Sequence, residues 1–448
     1  MPDYVADYAN RLLRDLGEIP RVRGRGDRVH PAQRWAQSGA MALTGAADGA
    51  AQLCPVPLAA CADAVVAALA AITGDAAIAR LDGAALLGER AAIAGHARAG
   101  RVSPGGACRL LHCGDDVIAV NLARDSDWAL LPAWLETDTI EAGDWNALAA
   151  ALRSRAMDEC VERGRLLGLA VASAQAHSEA PWFRIHAEHA ATQVTSPRAF
   201  APLVIDLSSL WAGPLCSHLL QRLGARVIKV ESVQRPDGAR NGPPAFFDRL
   251  NAGKASVALD FAAAQGIAQL RALLAQADIV IEASRPRALR QLGIDAEALV
   301  AARADLTWIS LCGYGRNEPE ANWIAFGDDA AVAAGLSRIQ REVSGEWLFV
   351  GDAIADPLTG LHAALAAVSS VRRGGSRLLA LALRDVVAHC IQATTPADRS
   401  ALHARQCEWS HALAGQPIAS PHARPVEGAA RALGADTAAI LDELGIAC

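Results

Sequence analysis

The stretch Pro202 to Glu231, PLVIDLSSLWAGPLCSHLLQRLGARVIKVE, constrains the fold of this chain more than any other. Val204, Ile205 and Leu207 make a short apolar run of strand length, followed by a loop from Ser208 to Pro214. Leu215, Leu219, Leu220 and Leu223 then recur at helical spacing. Gly224 stops that helix, and Val227, Ile228 and Val230 supply a second buried strand. The pattern is a βαβ unit. Its loop is not the G-x-G-x-x-G of a dinucleotide binder, because the glycine of Ala212-Gly213-Pro214 stands alone.

The pattern continues downstream. Ala255–Leu259, Ile279–Ile281 and Leu306–Leu311 read as strands, and 267–274, 288–292 and 296–302 as helices. Strands alternating with helices at this spacing predict a doubly wound, mostly parallel α/β sheet, a Rossmann-like large domain. Ligands of such sheets bind beyond the carboxyl ends of the strands. The first part of the chain differs. Pro31–Thr73 is helical and Ala-rich. Arg109–Leu122 reads as two short strands around Gly114-Asp115-Asp116, and 128–135, 145–152 and 157–166 read as helices. The expected division is residues 1–80 as a helical segment, 81–172 as a smaller α+β domain, 173–201 as a linker and 202–448 as the large domain. A weak internal repeat relates PLAACADAVVAALAAI, from Pro57, to AIADPLTGLHAALAAV, from Ala353. It marks the first segment as a degenerate copy of the large domain's central helices, with Ala60 where the second copy has Asp356.

Composition narrows the classes of function. A net charge of −6 and one short basic cluster, Arg21–Arg28, give no support to nucleic-acid binding. The Ala-rich run 59–73 is interrupted by Asp63 and is too short to span a bilayer. The polar start of the chain is unlike a secretion signal, so a cytoplasmic location is expected. None of the ten cysteines forms a C-x-x-C pair. They read as small buried hydrophobes, and no metal site is expected.

Six motifs, in order from Pro202 to Val368, resemble those of the family III CoA-transferases: VIDLSSLWAGP, GARVIKVE, LNAGKASVALD, ADIVIEASRPRAL, SLCGYG and IADPLTGLHAALAAV. The ending LGADTAAILDELGI is also similar. The family's small domain, expected after Ile391, is instead resembled by 86–172, notably at Arg90 and SPGGACRLL, so the order of parts looks rearranged. The resemblance implies a CoA-transferase that moves coenzyme A from an acyl-CoA thioester to a carboxylic acid, with Asp356 as nucleophile through an aspartyl anhydride and an aspartyl thioester. A carboxylate with an ordinary pKa of about 3.9 would be ionised at neutral pH and need no general base. An alternative role for Asp356 is a helix N-cap before Pro357.

For coenzyme A the resemblance implies binding by Leu210, Ala212, Gly213, Pro214, Arg235, Asn251, Lys254, Arg285, Arg287 and Arg290, with cations suited to its phosphates. Arg240 is a further candidate, and Lys229 is expected to pair with Glu231 or snorkel. Trp211 stands where formyl-CoA transferases carry glutamine, which argues against that substrate. Ala283 replaces the usual asparagine. Phe326-Gly327-Asp328-Asp329 lacks the histidine of the family's racemases, so a proton-transfer reaction would need another base, such as His30 beside Asp356. Trp323 and Phe326, with Trp211, suit a bulky apolar pocket or ordinary core. A non-catalytic CoA-binding protein is the third reading. The partners expected are acyl-CoA and carboxylic acid substrates, with no nucleic acid or membrane, and a homodimer is one expected assembly.

Overall fold

The structure is a computed structural model that describes every residue except 1, 25–28, 138–139, 175–179, 190–199, 397 and 448. Part of the basic cluster, part of the expected linker and Cys448 therefore lie outside the described residues.

The large sheet contains β4 (Arg184–Glu188), β5 (Leu203–Leu207), β6 (Arg226–Ser232), β7 (Ala255–Leu259), β8 (Ile279–Glu282), β9 (Thr307–Cys312) and β10 (Arg377–Ala382), after the small-sheet strands β1 (Cys108–Cys113), β2 (Asp116–Asn121) and β3 (Ala170–Ser173). Its order is β4-β10-β9-β8-β5-β6-β7. Every neighbouring pair is parallel except β4 with β10. The doubly wound α/β fold is thus present. Both faces are covered, and side chains alternate between two cores. Val204, Ile279, Ile281, Ile309 and Leu379 face one core, whereas Ile205, Val280, Trp308 and Leu378 face the other. The helices Ala212–Arg222 and Ala355–Arg372 cover the first face, and 264–276 with 437–443 cover the second.

The helix Ala355–Arg372 is buried through most of its length, so its sequence is apolar all round. It is sandwiched between the sheet and the N-terminal helix Leu58–Thr73. Gly360 permits its close crossing with Ala212–Arg222, since a Cβ there would lie 2.6 Å from the Ala212 carbonyl oxygen. A further helix, Tyr4–Asp15, is tied into the same core. The His362 Nδ1–H donates to the Leu358 carbonyl at 2.7 Å, which leaves Nε2 to accept from the Tyr8 hydroxyl at 2.9 Å. Tyr8 in turn accepts from His389 Nδ1 at 2.9 Å.

The small sheet is antiparallel, in order β1-β2-β3. In β2, Ile118 and Val120 face the helices 145–152 and 157–166, while Val117 and Ala119 pack toward Tyr314, Val332 and Phe349 of the large domain.

Four local readings change. Arg184–Glu188, expected within the linker, is the edge strand β4. Its side chains are half exposed, so it carries no apolar alternation. Pro31–Thr73 is two helices, Pro31–Gln37 and Leu58–Thr73, with a short 3-10 turn and irregular chain between them. The helix after β5 begins at Ala212, so Ala212, Gly213 and Pro214 form its first turn rather than a loop. Tyr4–Asp15 is helical although its polar composition gave no such expectation.

Candidate active site

The strand order reverses between β5 and β8, because β6 and β7 continue on one side and β9 and β10 on the other. Sheets of this kind bind ligands in the crevice where the chain departs in opposite directions, beyond the carboxyl ends of these strands. The loops after β5, β6 and β8 carry most of the residues expected to bind coenzyme A.

After β5, Leu210 adopts a left-handed φ of 68° and is 42% exposed. Such a conformation is strained for a leucine and needs outside support. Its N–H donates to Asp237 Oδ1 at 2.9 Å. Asp237 also pairs with Lys229 at 2.9 Å, and Lys229 Nζ donates to the Ser208 carbonyl at 2.8 Å. Lys229 therefore pairs with Asp237 and not with Glu231, whose carboxylate is held by Arg240 at 2.9 and 2.6 Å. Gly213 is demanded by packing, since a Cβ there would overlap the Ser208 side chain.

Lys254 and Asn251 are turned inward. Lys254 Nζ donates to Asp206 Oδ2 at 3.1 Å, Ser217 Oγ at 2.6 Å, the Pro214 carbonyl at 3.1 Å and Asn251 Oδ1 at 3.0 Å. Burial pushes this ammonium down to about 8, against the pull of Asp206. Burial alone would raise Asp206, but Lys254 and Lys229 hold it at about 2. With its donors committed under the first turn of the helix Ala212–Arg222, Lys254 serves the fold and presents none to a phosphate.

The arginines divide. Arg285 is lowered first by burial and then by Arg287, Arg124 and Arg235, so four guanidinium groups crowd one region. Arg124 is engaged by Asp127 at 2.8 Å and by the Gly168 carbonyl at 3.0 Å. Arg235, Arg285 and Arg287 form no ion pair among the described residues, and Arg235 and Arg287 are exposed. Crowded cations without acid partners are suited to a polyanion. Arg290 differs, because Glu297 takes it at 3.1 Å.

Asp356 is the second residue of the helix Ala355–Arg372, whose N-cap is Ile354, so it does not cap that helix. Its carboxyl is partly exposed and lies against Gly327, where a Cβ would overlap Oδ2. Just before the helix, Ala353 has a left-handed φ of 43°, and its N–H donates to Asp328 Oδ1 at 2.8 Å. Asp329 starts the helix Gly327–Ala333 by accepting the Phe326 N–H at 3.0 Å, and Asn121 Nδ2 of β2 donates to it at 2.9 Å. Asp352 is fully buried and gripped by Arg90, from the short helix Glu89–Ala94, through Nε at 2.8 Å and Nη2 at 2.5 Å. His96 stands 3.5 Å from the same carboxylate.

These groups shift one another. Burial pushes Asp356 up to about 7. Arg90 opposes the rise, while Asp328, Asp329 and Asp352 add to it. Burial, then Asp352, raises Asp328 to about 6, and burial raises Asp329 to about 7. Asp352 is held at about 2 by Arg90 and His96 despite its burial. The expectation of an ordinary carboxylate pKa at Asp356 is therefore corrected. Helix-terminal geometry favours a carboxylate, but desolvation and like charges outweigh it here.

His30 is not among the groups around Asp356. It caps Pro31–Gln37, with Nδ1 accepting the Ala32 N–H at 3.1 Å, and packs edge-on against Trp409. Trp211 is 2% exposed and meets Phe246 edge-on, with Arg90 above its ring at 5.7 Å. Trp323 packs against Tyr314 beneath Arg165. Sequence reasoning passed over Asp328, Asp352 and His96 as site residues. The available signal was two adjacent acids, Asp328-Asp329, and a third, Asp352, inside apolar surroundings.

A doubly wound α/β domain with a carboxylate cluster beside its crevice is the class that the fold and the site define. Within it, residues 202–412 match the family described as CoA-transferase family III. The chain is similar to the succinate–glutarate CoA-transferase of Agrobacterium fabrum, at 31% identity over 200 residues, covering 41% of this chain and 50% of the relative. It is similar to the succinyl-CoA:glutarate CoA-transferase of Mus musculus, at 30% identity over 167 residues, covering 36% and 38%. A solved CAIB/BAIF family protein from Brucella suis shares 31% identity over 43% of this chain and 55% of that one, with a TM-score of 0.38. The chain spans about half the length, or less, of the curated relatives it matches.

Proposed function

We propose that this chain is a CoA-transferase that carries coenzyme A from an acyl-CoA thioester to a carboxylic acid, with Asp356 as the nucleophile. The observation that carries the reading is the Asp356 carboxyl: partly exposed, pressed against Gly327 at the start of a buried helix, and without a hydrogen-bond partner among the described residues. An ionised carboxylate attacks a thioester directly and needs no base to activate it. The raised pKa means that a sizeable fraction must ionise first, and Arg90 favours that step.

In the same reading, Arg285, Arg287 and Arg235 hold the coenzyme's phosphates at the crevice, and Leu210 lines the way toward the reacting centre. Ala212, Gly213 and Pro214 shape its floor, while Lys254 and Asn251 support that floor from below. The division into a degenerate helical copy (1–80), a small domain (81–172), a connecting stretch (173–201) and the large domain (202–448) belongs to the proposal, as do a cytoplasmic location and a homodimer.

The test is to incubate the protein with succinyl-CoA, trap with hydroxylamine or borohydride, and map the modified peptide. A label on Asp356 supports transfer. Solvent deuterium at the α-carbon without trapping would replace transfer by proton exchange, and CoA binding with neither reaction would leave a binding protein. Transfer that survives Asp356→Ala would end the reading.

A further inference from the structure

Each addition of a carboxylate to an acyl carbon produces an oxyanion, and its stabilisation requires a donor held in place beforehand. Arg90 meets that requirement geometrically. Asp352 binds its Nε and Nη2 along one edge, at 2.8 and 2.5 Å, which fixes the plane of the guanidinium. Asp352 is fully buried, so the anchor does not move with solvent. Arg90 itself is 28% exposed, and its Nη1 makes no hydrogen bond among the described residues. The guanidinium lies above the Trp211 ring, its anchor Asp352 stands four residues before Asp356, its charge and that of Asp356 act on each other, and Gly105 leaves room against Nη2, where a Cβ would come within 3.1 Å. On the other side, Glu89 is gripped by Arg424 at 2.6 and 2.8 Å, so consecutive residues pin this short helix from two directions.

We infer that Arg90 is a catalytic residue of the transfer, whose free Nη1 edge holds the oxygen of the reacting carboxyl group. The inference rests on the transferase reading. Asp356 Oδ adds to the thioester carbonyl carbon, and the C=O electron pair moves to oxygen beside Arg90. Collapse of that oxyanion breaks the C–S bond, releasing CoA thiolate and leaving a mixed anhydride. The thiolate then adds to the Asp356 acyl carbon, and the original acid leaves as a carboxylate on the same edge. The acceptor carboxylate binds there next and repeats the steps in reverse. No net proton is taken up or released.

Arg90→Lys keeps a positive charge facing Asp352 but has no second edge. In the full chain, with succinyl-CoA as donor and glutarate as acceptor, it should bind CoA within about twofold of wild type. It should acylate Asp356 more slowly by on the order of 10²–10³-fold. Arg90→Ala keeps Asp352 as the anchor for a replacement cation, and millimolar guanidinium should restore its acylation at least about tenfold. An Asp356 adduct forming at the wild-type rate in Arg90→Lys would overturn the inference while leaving the transferase reading standing. If Arg90→Lys does not fold, absence of guanidinium rescue in Arg90→Ala overturns it. No adduct in the wild-type protein overturns both.

Discussion

Asp356 occupies the space that a side chain on Gly327 would take: a Cβ built there overlaps Asp356 Oδ2 and the Ala353 carbonyl oxygen. The position of the proposed nucleophile is thus written into a different helix, through a missing methyl group. Gly327→Ala should displace the carboxyl, and a displacement of this kind lowers acylation by about 10²-fold. The overlap with the Ala353 backbone should also lower the melting temperature, so acylation is compared at a temperature where the variant is folded. Single-turnover acylation alongside thermal denaturation checks this, and wild-type rates would refute it.

The pH dependence follows from the same carboxyl. Attack needs the ionised form, and the folded pKa is raised to about 7. Acylation should rise with pH up to about 7 and level off above it. Asp328→Asn keeps an oxygen to accept the Ala353 N–H but removes a like charge, so it should move the rising limb to lower pH. Single-turnover rates from pH 5 to 9 would show the shift, and an unmoved limb would contradict it.

Stability should show the opposite face of that shift. A carboxyl whose folded pKa exceeds its unfolded value near 3.8 stabilises the protein when protonated, and that contribution is lost as pH rises through about 7. Asp356→Asn should therefore be more stable than wild type at pH 8, by on the order of 2 kcal/mol, and little different at pH 4. Urea denaturation at both values, with activity lost at both, is the measurement.

The cations expected to bind phosphate should separate into two behaviours. Arg285→Ala with Arg287→Ala should weaken CoA binding about tenfold or more, with a loss that shrinks in high salt, and leave the melting temperature unchanged. Lys254→Met strands Asp206 in the interior and should destabilise by about 3–5 kcal/mol. Its folded fraction should bind CoA as wild type does. Calorimetric titration and denaturation of both variants distinguish the cases, and a reversed pattern would reassign Lys254 to the ligand.

The large sheet was legible because burial on both faces leaves apolar runs between glycine and proline stops, as in β5, β6 and β8. β4 was not, because an exposed edge strand needs no such run. Asp356 was found through motif resemblance, but its chemistry depends on which charges meet it, and periodicity does not report that. Lys254 and Arg285 look alike in sequence, yet one is committed beneath a helix and the other forms no ion pair among the described residues. Arg90 and Asp352 meet across most of the chain, and nothing local to either announces the other.

That distance has a consequence for how the protein is made. Tyr8, the helix Leu58–Thr73 and Arg90 leave the ribosome long before the helix Ala355–Arg372 that they seat. Until then the apolar flank of the early helix has no native cover, and the contacts that close the site span most of the sequence. Such contacts form late and slowly, and the waiting chain is exposed to aggregation. Translation that halts before the last hundred or so residues yields no partly working fold, only a client for chaperones, and cutting the chain in two would require the halves to be produced together.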